Sequence, residues 1–439
     1  MAYSAQRFAI CLWVGMLAHG PTVAAVPAIN GTWEIALVTL GVTQNRRLVI
    51  SGQGSDYQAT MGNLKFTGRW ESGSLHLRCQ AEVPCGELTL RGADTSITGE
   101  GNLNSAPATL RGKRSAVRPY AAPRTVDFEP KQFSGLFSSG AAPVLTLFPE
   151  DTVRTRTIDA EGFDAQGVRV TTLVNPQTGP FYVETAMPGD TLAIHFIKIR
   201  TNRATADMYG DALAANALEP YSLRREQKIP KGSSTWTLNT EHGVATLAQP
   251  SEKLAHFEVP LQPMLGCVGV APAFGQSFRT VNLGAYGGNL DYSGVHEGAT
   301  LYLPVFQPGA LLFIGDGHAR QGDGELTGTG LETSMDVEFT VDLIKYQSLG
   351  QPRIEDDDFV MISGIGGSLS DALQLATTGM VRWLKDTYGL NPGDIAMVLG
   401  SSMRYDITEI VDPQIHVVAK LRKDSLARIA TAKGPAPGE

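Results

Sequence analysis

Short runs of alternating apolar and polar residues recur at close spacing between residues 29 and 117, separated by Gly, Asn and Ser turns. Because successive side chains of a strand point to opposite faces, this alternation predicts half-buried strands. The runs cover residues 32–37, 47–50, 64–70, 74–78 and 86–90. Strands of this length and spacing are typical of a small antiparallel β-barrel or meander. The segment has no titratable cluster, which favours an accessory or docking domain over a ligand-binding cup.

Composition extends the β prediction to the rest of the chain. With 48 glycines, 25 prolines and 18% charged residues, the sequence suits a turn-rich β protein better than a helical bundle. Its 439 residues allow two or three domains. The formal charge of −8, with no dense basic cluster, argues against nucleic acid as a partner.

The N-terminus has the pattern of a signal peptide, predicted to span residues 1–28. Arg7 is the only charge before an apolar run at residues 8–17, and small residues follow that suit cleavage after Ala25 or Ala28. The apolar run is shorter than the ~20 residues that a membrane span needs, so an anchor is not expected. The mature protein is therefore expected to be exported, either periplasmic or secreted.

Prolines mark the boundary between the two expected domains. Residues 118–130 contain Pro119, Pro123 and Pro130 with little periodicity and are predicted to form a linker. The second domain is expected over residues 131–425, and a disordered tail over residues 426–439.

Two segments early in the second domain bear on its architecture. Residues 180–184 and 190–196 are predicted to be paired strands, joined by a turn at Pro188 and Gly189. Residues 201–235 are irregular and polar, as is typical of a lid or a rim over a site.

One strong helix is predicted over residues 368–388. Ser368 and Asp371 stand at the spacing of a capping box, and Gly389 is a natural stop. A second, shorter helix is expected to begin near Pro392.

Two cysteines in the first domain are expected to be bonded to each other. Cys79 and Cys85 lie six residues apart, and no Cys or His nearby completes a zinc pattern. In an oxidising compartment the pair is predicted to form a disulfide. Cys267 has no partner and an apolar context, so an inert buried thiol is expected there.

The richest chemistry follows a buried strand predicted at residues 311–314. Residues 315–325 read GDGHARQGDGE and bring three carboxylates, the imidazole of His318 and a guanidinium into one glycine-rich loop. A Gly/Asp-rich loop is often only a polar hairpin tip with its histidine on the surface. Such a density of titratable groups is costly, however, unless they hold a metal or share protons. The loop lacks the spacing of an EF-hand.

This loop resembles the signature of the acetamidase/formamidase family of metal-linked amide hydrolases. Three further segments resemble the family pattern in the same order, at residues 263–272 (PMLGCVGVAP), 287–291 (GGNLD) and 300–305 (TLYLPV). The resemblance covers roughly residues 125 to 425. It implies a mainly β fold, with a β-sandwich core and a small α/β C-terminal part, in a homodimer. It also implies hydrolysis of carbon–nitrogen bonds in linear amides such as formamide and acetamide.

Amide hydrolysis requires a polarised carbonyl, an activated water and a proton for the leaving nitrogen. A divalent metal meets the first two needs, and a carboxylate can move the proton. Asp291, His318 and Asp323 are the predicted ligands, with zinc favoured and calcium as the alternative. Glu325 is the predicted general base, although it is itself a candidate ligand, and Asn289 is a predicted donor to the carbonyl oxygen.

Four other residues are predicted to support the ligands. Asp316 lies beside His318 in the loop, and Arg320 is expected to hold a carboxylate through a bidentate pair. His195 is expected to face Glu184 on the paired strand, at some distance from the metal.

Two other functions were weighed against the metal amidase. A serine hydrolase is disfavoured because no Gly-x-Ser-x-Gly elbow occurs, and the Gly/Ser-rich residues 364–370 have no lysine placed to activate a serine. A secreted ligand-binding protein with a structural metal is the alternative from another class. Ammonia release distinguishes it from the enzyme.

Overall fold

The computed structural model describes residues 29–81, 85–210, 213–219 and 234–429. The predicted signal peptide, residues 430–439 of the predicted tail, and residues 211–212 and 220–233 of the polar segment lie outside the described residues. Within the described ranges, no helix has the length and hydropathy that a membrane crossing requires.

The first unit is a closed antiparallel barrel, in which each strand pairs with the next and the first pairs with the last. Its strands are β1 (Gly31–Thr39), β2 (Val42–Gln53), β3 (Asp56–Met61), β4 (Leu64–Glu71), β5 (Ser74–Cys79), β6 (Gly86–Ala93), β7 (Ser96–Leu103) and β8 (Ala106–Arg114). Alternate side chains point inward, and Trp33, Leu48, Phe66 and Leu75 are fully buried among them. The predicted barrel is confirmed, and its interior is packed with apolar side chains.

A disulfide joins the end of β5 to the residue before β6. Cys79 and Cys85 are bonded, with their Cα atoms 5.5 Å apart. The predicted pairing is confirmed.

The second unit contains two large sheets. The strands of the first are β10 (Phe133–Ser134), β12 (Leu145–Leu147), β14 (Gln177–Val183), β20 (Met264–Gly269), β22 (Leu283–Gly284), β23 (Gly287–Asn289) and β25 (Leu312–His318). Their order in the sheet is β10-β14-β25-β20-β23-β22, with β12 paired to β14.

The strands of the second sheet are β9 (Thr125–Asp127), β13 (Thr152–Arg156), β15 (Thr191–Thr201), β24 (Thr300–Pro304), β26 (Met335–Ile344), β27 (Arg353–Glu355), β28 (Phe359–Gly366), β29 (Arg404–Glu409) and β30 (Ile415–Arg422). Their order in the sheet is β29-β30-β28-β27-β24-β15-β26-β13-β9.

These two sheets face each other across one apolar core. Phe181 of the first sheet meets Phe339 of the second edge to face, with ring centroids 5.5 Å apart. Leu192 and Phe313 are fully buried in the same core. The predicted β-sandwich is confirmed, because both sheets turn an apolar face toward this core.

Two small sheets complete the β structure of the second unit. One joins β16 (Thr205–Met208), β17 (Ser234–Asn239), β18 (Val244–Leu247) and β19 (Glu258–Pro260). The other pairs β11 (Leu136–Ser138) with β21 (Ser277–Arg279). The four-stranded sheet borders the cavity described below.

The predicted pairing of residues 180–184 with residues 190–196 is wrong. The first segment ends β14 in one sheet, whereas the second lies in β15 of the facing sheet. The turn at Pro188 and Gly189 therefore carries the chain from one layer of the sandwich to the other.

Helices cover one face of the nine-stranded sheet. They are α1 (Leu369–Tyr388), α2 (Pro392–Ser402) and the short α3 (Lys423–Leu426). The Oγ of Ser368 accepts a hydrogen bond from the Asp371 backbone, and Gly389 ends α1 with φ of 67°. The predicted helices and the small α/β part are confirmed.

The barrel contacts the sandwich through a buried ion pair. Arg47 on β2 donates to both carboxylate oxygens of Asp190, at 2.9 and 2.6 Å, and both side chains are buried. Lys345 lies 3.4 Å from the same carboxylate. This bidentate pair fixes the barrel against the turn that precedes β15.

Candidate active site

Strand β25 lies inside the seven-stranded sheet and carries Asp316 and His318 toward its end. It is flanked by β14 and β20, so both residues are fully enclosed by neighbouring strands. Asp291 follows the short β23, and Glu409 ends β29 of the other sheet. The site therefore forms where strand ends of both sheets meet.

His318 is the centre of this site. Its Nε2 lies 3.0 Å from Oε1 of Glu332, 3.3 Å from Oδ1 of Asp316 and 3.9 Å from Oδ1 of Asp291. All four side chains are buried. These separations match those between neighbouring ligands around one bound cation.

The side-chain amide of Gln321 fixes the tautomer of His318. Nε2 of Gln321 donates to the carbonyl oxygens of Asp291 and Thr408, at 2.7 and 3.2 Å, which sets the orientation of the amide. Its Oε1 then faces Nδ1 of His318 at 2.8 Å and accepts that proton. In neutral His318 the lone pair of Nε2 is thus aimed at three carboxylates, an arrangement that calls for a proton or a metal ion between them.

Burial perturbs the carboxyl groups around His318. It raises the pKa of Asp291 well above its usual range, and nearby Asp316 raises it further. It raises the pKa of Glu332 to about 7, and that of Asp412 to about 7 with Glu409 adding to the effect. These buried carboxyl groups cannot all be ionised unless a cation neutralises part of their charge.

Two opposing effects act on the pKa of His318. Burial alone would lower its pKa, but the carboxylates of Glu332 and Asp316 outweigh burial and raise the pKa well above its usual range. The imidazole therefore holds a second proton tightly and is positively charged when no metal ion is bound.

Glu325 and Glu409 form a carboxyl pair beside the His318 cluster. Burial, Asp291 and the neighbouring Glu409 raise the pKa of Glu325 well above its usual range. Burial also raises the pKa of Glu409. Because burial disfavours two adjacent carboxylate charges, this pair favours sharing one proton over being fully ionised.

Three carboxylate residues of the site have a strained backbone conformation. Asp291, Asp316 and Glu325 adopt positive φ angles of 40°, 59° and 45°. Residues other than glycine rarely adopt this backbone conformation, and it persists only where the surrounding structure enforces it. The strained backbone costs some stability and directs these three carboxylates toward the same site.

Gly266 on β20 leaves room for two of these carboxylates. A Cβ atom at this position would collide with Oδ1 of Asp291 and lie 2.8 Å from Oδ2 of Asp316. Both carboxylates therefore depend on the missing side chain.

We predict that Gly266→Ala weakens metal binding about 10- to 100-fold, since the new methyl group displaces both carboxylates. Metal affinity is measured by competition with a coloured chelator. Gly322→Ala is the matched control, because a Cβ there meets no atom within 4 Å. Equal affinity in the two variants would contradict a role for Asp291 and Asp316 as metal ligands.

A cavity of about 370 Å³ opens beside the site and reaches Gln321 and Glu325. It is named here the Glu325 cavity. Its walls come from the segment between Arg320 and Leu331 and from the four-stranded sheet. The cavity gives a small molecule a route to the carboxyl pair.

Comparisons with known proteins place this site in a family context. Residues 270–355 match the model of the Acetamidase/Formamidase family. The chain is 43% identical over 68 residues to an acetamidase from Mycolicibacterium smegmatis, a match that covers 15% of this chain and 17% of that protein. An acetamidase structure from Yersinia enterocolitica superposes with a TM-score of 0.61 at 28% identity, covering 72% of this chain and 96% of that one. One from Bacillus halodurans gives 0.59 at 27% identity, covering 69% and 99%.

The resemblance to the acetamidase/formamidase family is confirmed. The stretch that matches the curated acetamidase spans about a sixth of that protein, whereas the structural likeness spans almost the whole of the two solved acetamidases. The family-model match over residues 270–355 includes Asp291, His318 and Glu332 of the site.

The structure brings together most of the residues predicted from the signature loop. Asp291, His318 and Glu325 offer ligand atoms within 4.8 Å of one another. Asp316 was predicted only as a supporting residue, yet with His318 and Glu332 it forms a second such group.

Asp323 is not part of either group, which corrects its prediction as a ligand. The prediction assumed strand geometry, in which Asp323 and Glu325 would share a face. The chain instead turns at residues 323–324, which leaves Asp323 exposed while Glu325 is buried.

Asn289 has no free proton for a substrate carbonyl. Its Nδ2 donates to Oδ2 of Asp291 and to Oδ2 of Asp412, the latter at 2.8 Å. Its Oδ1 accepts from Asn175 at 2.6 Å. Both amide hydrogens are thus engaged, so Asn289 positions carboxylates, in place of the role predicted for it.

Three other candidates lie apart from the cluster. Arg320 donates to Oε1 of Gln262 at 2.8 Å in place of the predicted carboxylate. His195 is exposed on β15, with its Nδ1 3.1 Å from Oγ1 of Thr300. Glu184 lies in the electrostatic range of Lys113 at the barrel contact, where burial raises its pKa.

Cys267 is fully buried and donates to the carbonyl of Thr280 at 3.3 Å. Burial and the neighbouring Asp316 and Asp291 raise the pKa of its thiol well above the usual range. This thiol is inert as a nucleophile, in agreement with the sequence-based expectation.

Sequence reasoning missed Glu332, Glu409, Asp412 and Gln321. Glu409 ends β29 and Asp412 follows it three residues later, and a carboxylate at a strand end was an available signal. Glu332 stands alone after Leu331 and gave none. Gln321 lies inside the signature loop, three residues after the histidine that it orients.

Proposed function

We propose that this protein hydrolyses the carbon–nitrogen bond of linear amides, releasing ammonia and a carboxylate. The observation that carries the proposal is the fixed tautomer of His318, whose Nε2 lone pair faces Glu332, Asp316 and Asp291. A bound divalent cation would satisfy that nitrogen and the carboxylates together. The resemblance to the acetamidase/formamidase family supports amides as the substrate class.

The chemistry of the donor atoms fits a metal ion. Oδ1 of Asp291 and Oε2 of Glu332 are buried and have no hydrogen-bond partner. Unsatisfied buried carboxylate oxygens are costly, and a cation removes that cost. We assign His318, Glu332, Asp316 and Asp291 as the residues that would hold it.

Zinc suits this donor set better than calcium. The set offers one imidazole nitrogen and several carboxylate oxygens, whereas calcium takes about six to eight oxygen ligands. The hydrogen bond from Nδ1 of His318 to Gln321 is the usual support for a metal-binding histidine.

Glu325 and Glu409 move protons in this proposal. A bound divalent ion supplies Lewis-acid activation of the carbonyl and of the attacking water. The ionised member of the carboxyl pair takes a proton from that water, and the pair gives one to the departing nitrogen. Asn289 holds Asp291 and Asp412 in place during these transfers.

Export and a homodimer are also part of the proposal. The Cys79–Cys85 disulfide supports an oxidising compartment such as the periplasm or the exterior. The homodimer rests on the family resemblance, and the mass of the purified protein in solution measures it.

The decisive experiment is an ammonia assay on purified protein with formamide, acetamide and longer amides, before and after chelation. We predict that chelation abolishes turnover and that a single divalent ion, zinc, restores it. Turnover that survives complete removal of metal would contradict the metal proposal. No release from any amide by metal-loaded protein would favour a secreted ligand-binding protein.

A further inference from the structure

The Glu325 cavity is larger than the simplest amides require. Acetamide has four non-hydrogen atoms and needs about the 90 Å³ that three water molecules occupy in the liquid. The cavity offers about 370 Å³, within the range of pockets that enclose larger organic ligands. Acetamide would leave most of this volume unfilled.

The inner wall of the cavity is apolar. Trp236 is only 6% exposed and Leu331 only 2%, and both belong to a small core formed with the four-stranded sheet. Met208 and Val259 of the same sheet also line the cavity. A wall of this kind excludes water and favours alkyl or aryl groups.

Two large apolar residues lie at the mouth of the cavity. Phe257 is 47% exposed and Leu326 is 39% exposed, and both line the cavity. The ring of Phe257 meets that of Trp236 edge to face at 6.2 Å, so the apolar wall continues from the inside to the mouth. Apolar surface that continues inward from solvent in this way is typical of a ligand-binding groove.

The charged residues of the lining are Arg320, Asp323 and Glu325. Glu325 is at the site, and Arg320 is engaged with Gln262. Asp323 is exposed. Among the described charged lining residues, the single cation is already hydrogen-bonded to Gln262, so no cationic cluster is present to bind an anionic substituent. Charged groups line the cavity along residues 320–325, whereas the wall formed by the four-stranded sheet is apolar.

We propose that the Glu325 cavity binds an apolar substituent on the acyl side of the substrate, which makes medium-chain aliphatic amides better substrates than acetamide. This inference rests on the proposed function, and it assigns Trp236, Phe257, Leu326 and Met208 to specificity. Met208, at the end of β16, lies within the polar segment of residues 201–235 that the sequence predicts to form a lid or a rim over a site.

The test compares acetamide, butanamide and hexanamide as substrates of the full, metal-loaded protein. We expect kcat/KM to rise about fourfold for each added methylene until the cavity is filled. Equal or falling kcat/KM along the series, with acetamide hydrolysed, would overturn the inference and leave the proposed function intact.

Phe257→Ser and a matched control test whether the preference for longer amides arises in the Glu325 cavity. We expect Phe257→Ser to lower the ratio of kcat/KM for hexanamide to that for acetamide about fivefold or more. Phe274→Ser changes a phenylalanine that is 96% exposed and does not line the cavity, so its ratio should stay that of wild type. An unchanged ratio in Phe257→Ser would contradict the assignment.

A binding measurement separates the two proposals. Calorimetry with hexanamide and acetamide reads affinity without turnover. If no amide is hydrolysed but hexanamide binds more tightly than acetamide and Phe257→Ser removes the difference, the amidase proposal fails and the apolar cavity stands. Absence of both binding and turnover would overturn both.

Discussion

Replacing Glu325 with glutamine is expected to lower kcat for ammonia release about 100- to 10,000-fold, while bound metal stays at the wild-type amount. Glutamine keeps the size of the side chain but has no acidic proton to exchange with Glu409. The four residues assigned to hold the metal, His318, Glu332, Asp316 and Asp291, remain in place. Initial rates of ammonia release and metal content by mass spectrometry measure the two effects separately.

A different pattern is expected for Glu332→Gln, in which metal binding is lost as well. Oε1 of Glu332 lies 3.0 Å from Nε2 of His318 and its Oε2 has no hydrogen-bond partner, so this variant should lose metal together with turnover. Asp323→Asn is the control on the same loop, and it should keep both. Loss of metal in Glu325→Gln would show that Glu325 is a ligand and that the proton-transfer role belongs elsewhere.

The barrel and the helices were predictable because their signals are local. Alternation with a period of two marks each barrel strand, and Ser368 and Gly389 mark the ends of α1 through hydrogen bonds within a few residues. The pairing of β14 with β15 was mispredicted because two successive strands joined by a Pro-Gly turn usually pair. A sandwich also permits the chain to cross between its layers, and local sequence does not distinguish the two outcomes.

The site was predictable only where its residues share one motif. Asp316, His318 and Glu325 occur within ten residues, so their proximity follows from the loop itself. Glu332 and Glu409 reach His318 and Glu325 through tertiary packing, from the segment before β26 and from the end of β29. Asp323 shows the converse, since proximity in sequence did not bring it into the cluster once positive φ angles at residues 324 and 325 turned the chain.

The second large effect is on stability, where Asp190→Ala is expected to lower the free energy of unfolding by about 3–5 kcal/mol. The substitution leaves the guanidinium of Arg47 buried without its bidentate partner, and it also removes the acceptor of Lys345 and of the Tyr346 backbone N–H. Urea unfolding followed by tryptophan fluorescence measures the change. Glu87→Ala is the matched control, because its pair with Arg78 has a similar length of 2.8 Å but is exposed, and it should cost less than about 1 kcal/mol.

The pH dependence gives this prediction a second, independent readout. Burial alone would raise the pKa of Asp190, but the hydrogen bond from Arg47 and the charge of Lys345 outweigh burial and lower it. A carboxyl group whose pKa is lowered by folding stabilises the protein above its unfolded pKa, about 3.9, and that contribution disappears as the pH falls through the folded pKa. The difference between wild type and Asp190→Asn should therefore be constant from about pH 5 to 7 and shrink below about pH 4. A difference that stays constant down to pH 2 would mean that the Asp190 charge does not hold the barrel to the sandwich.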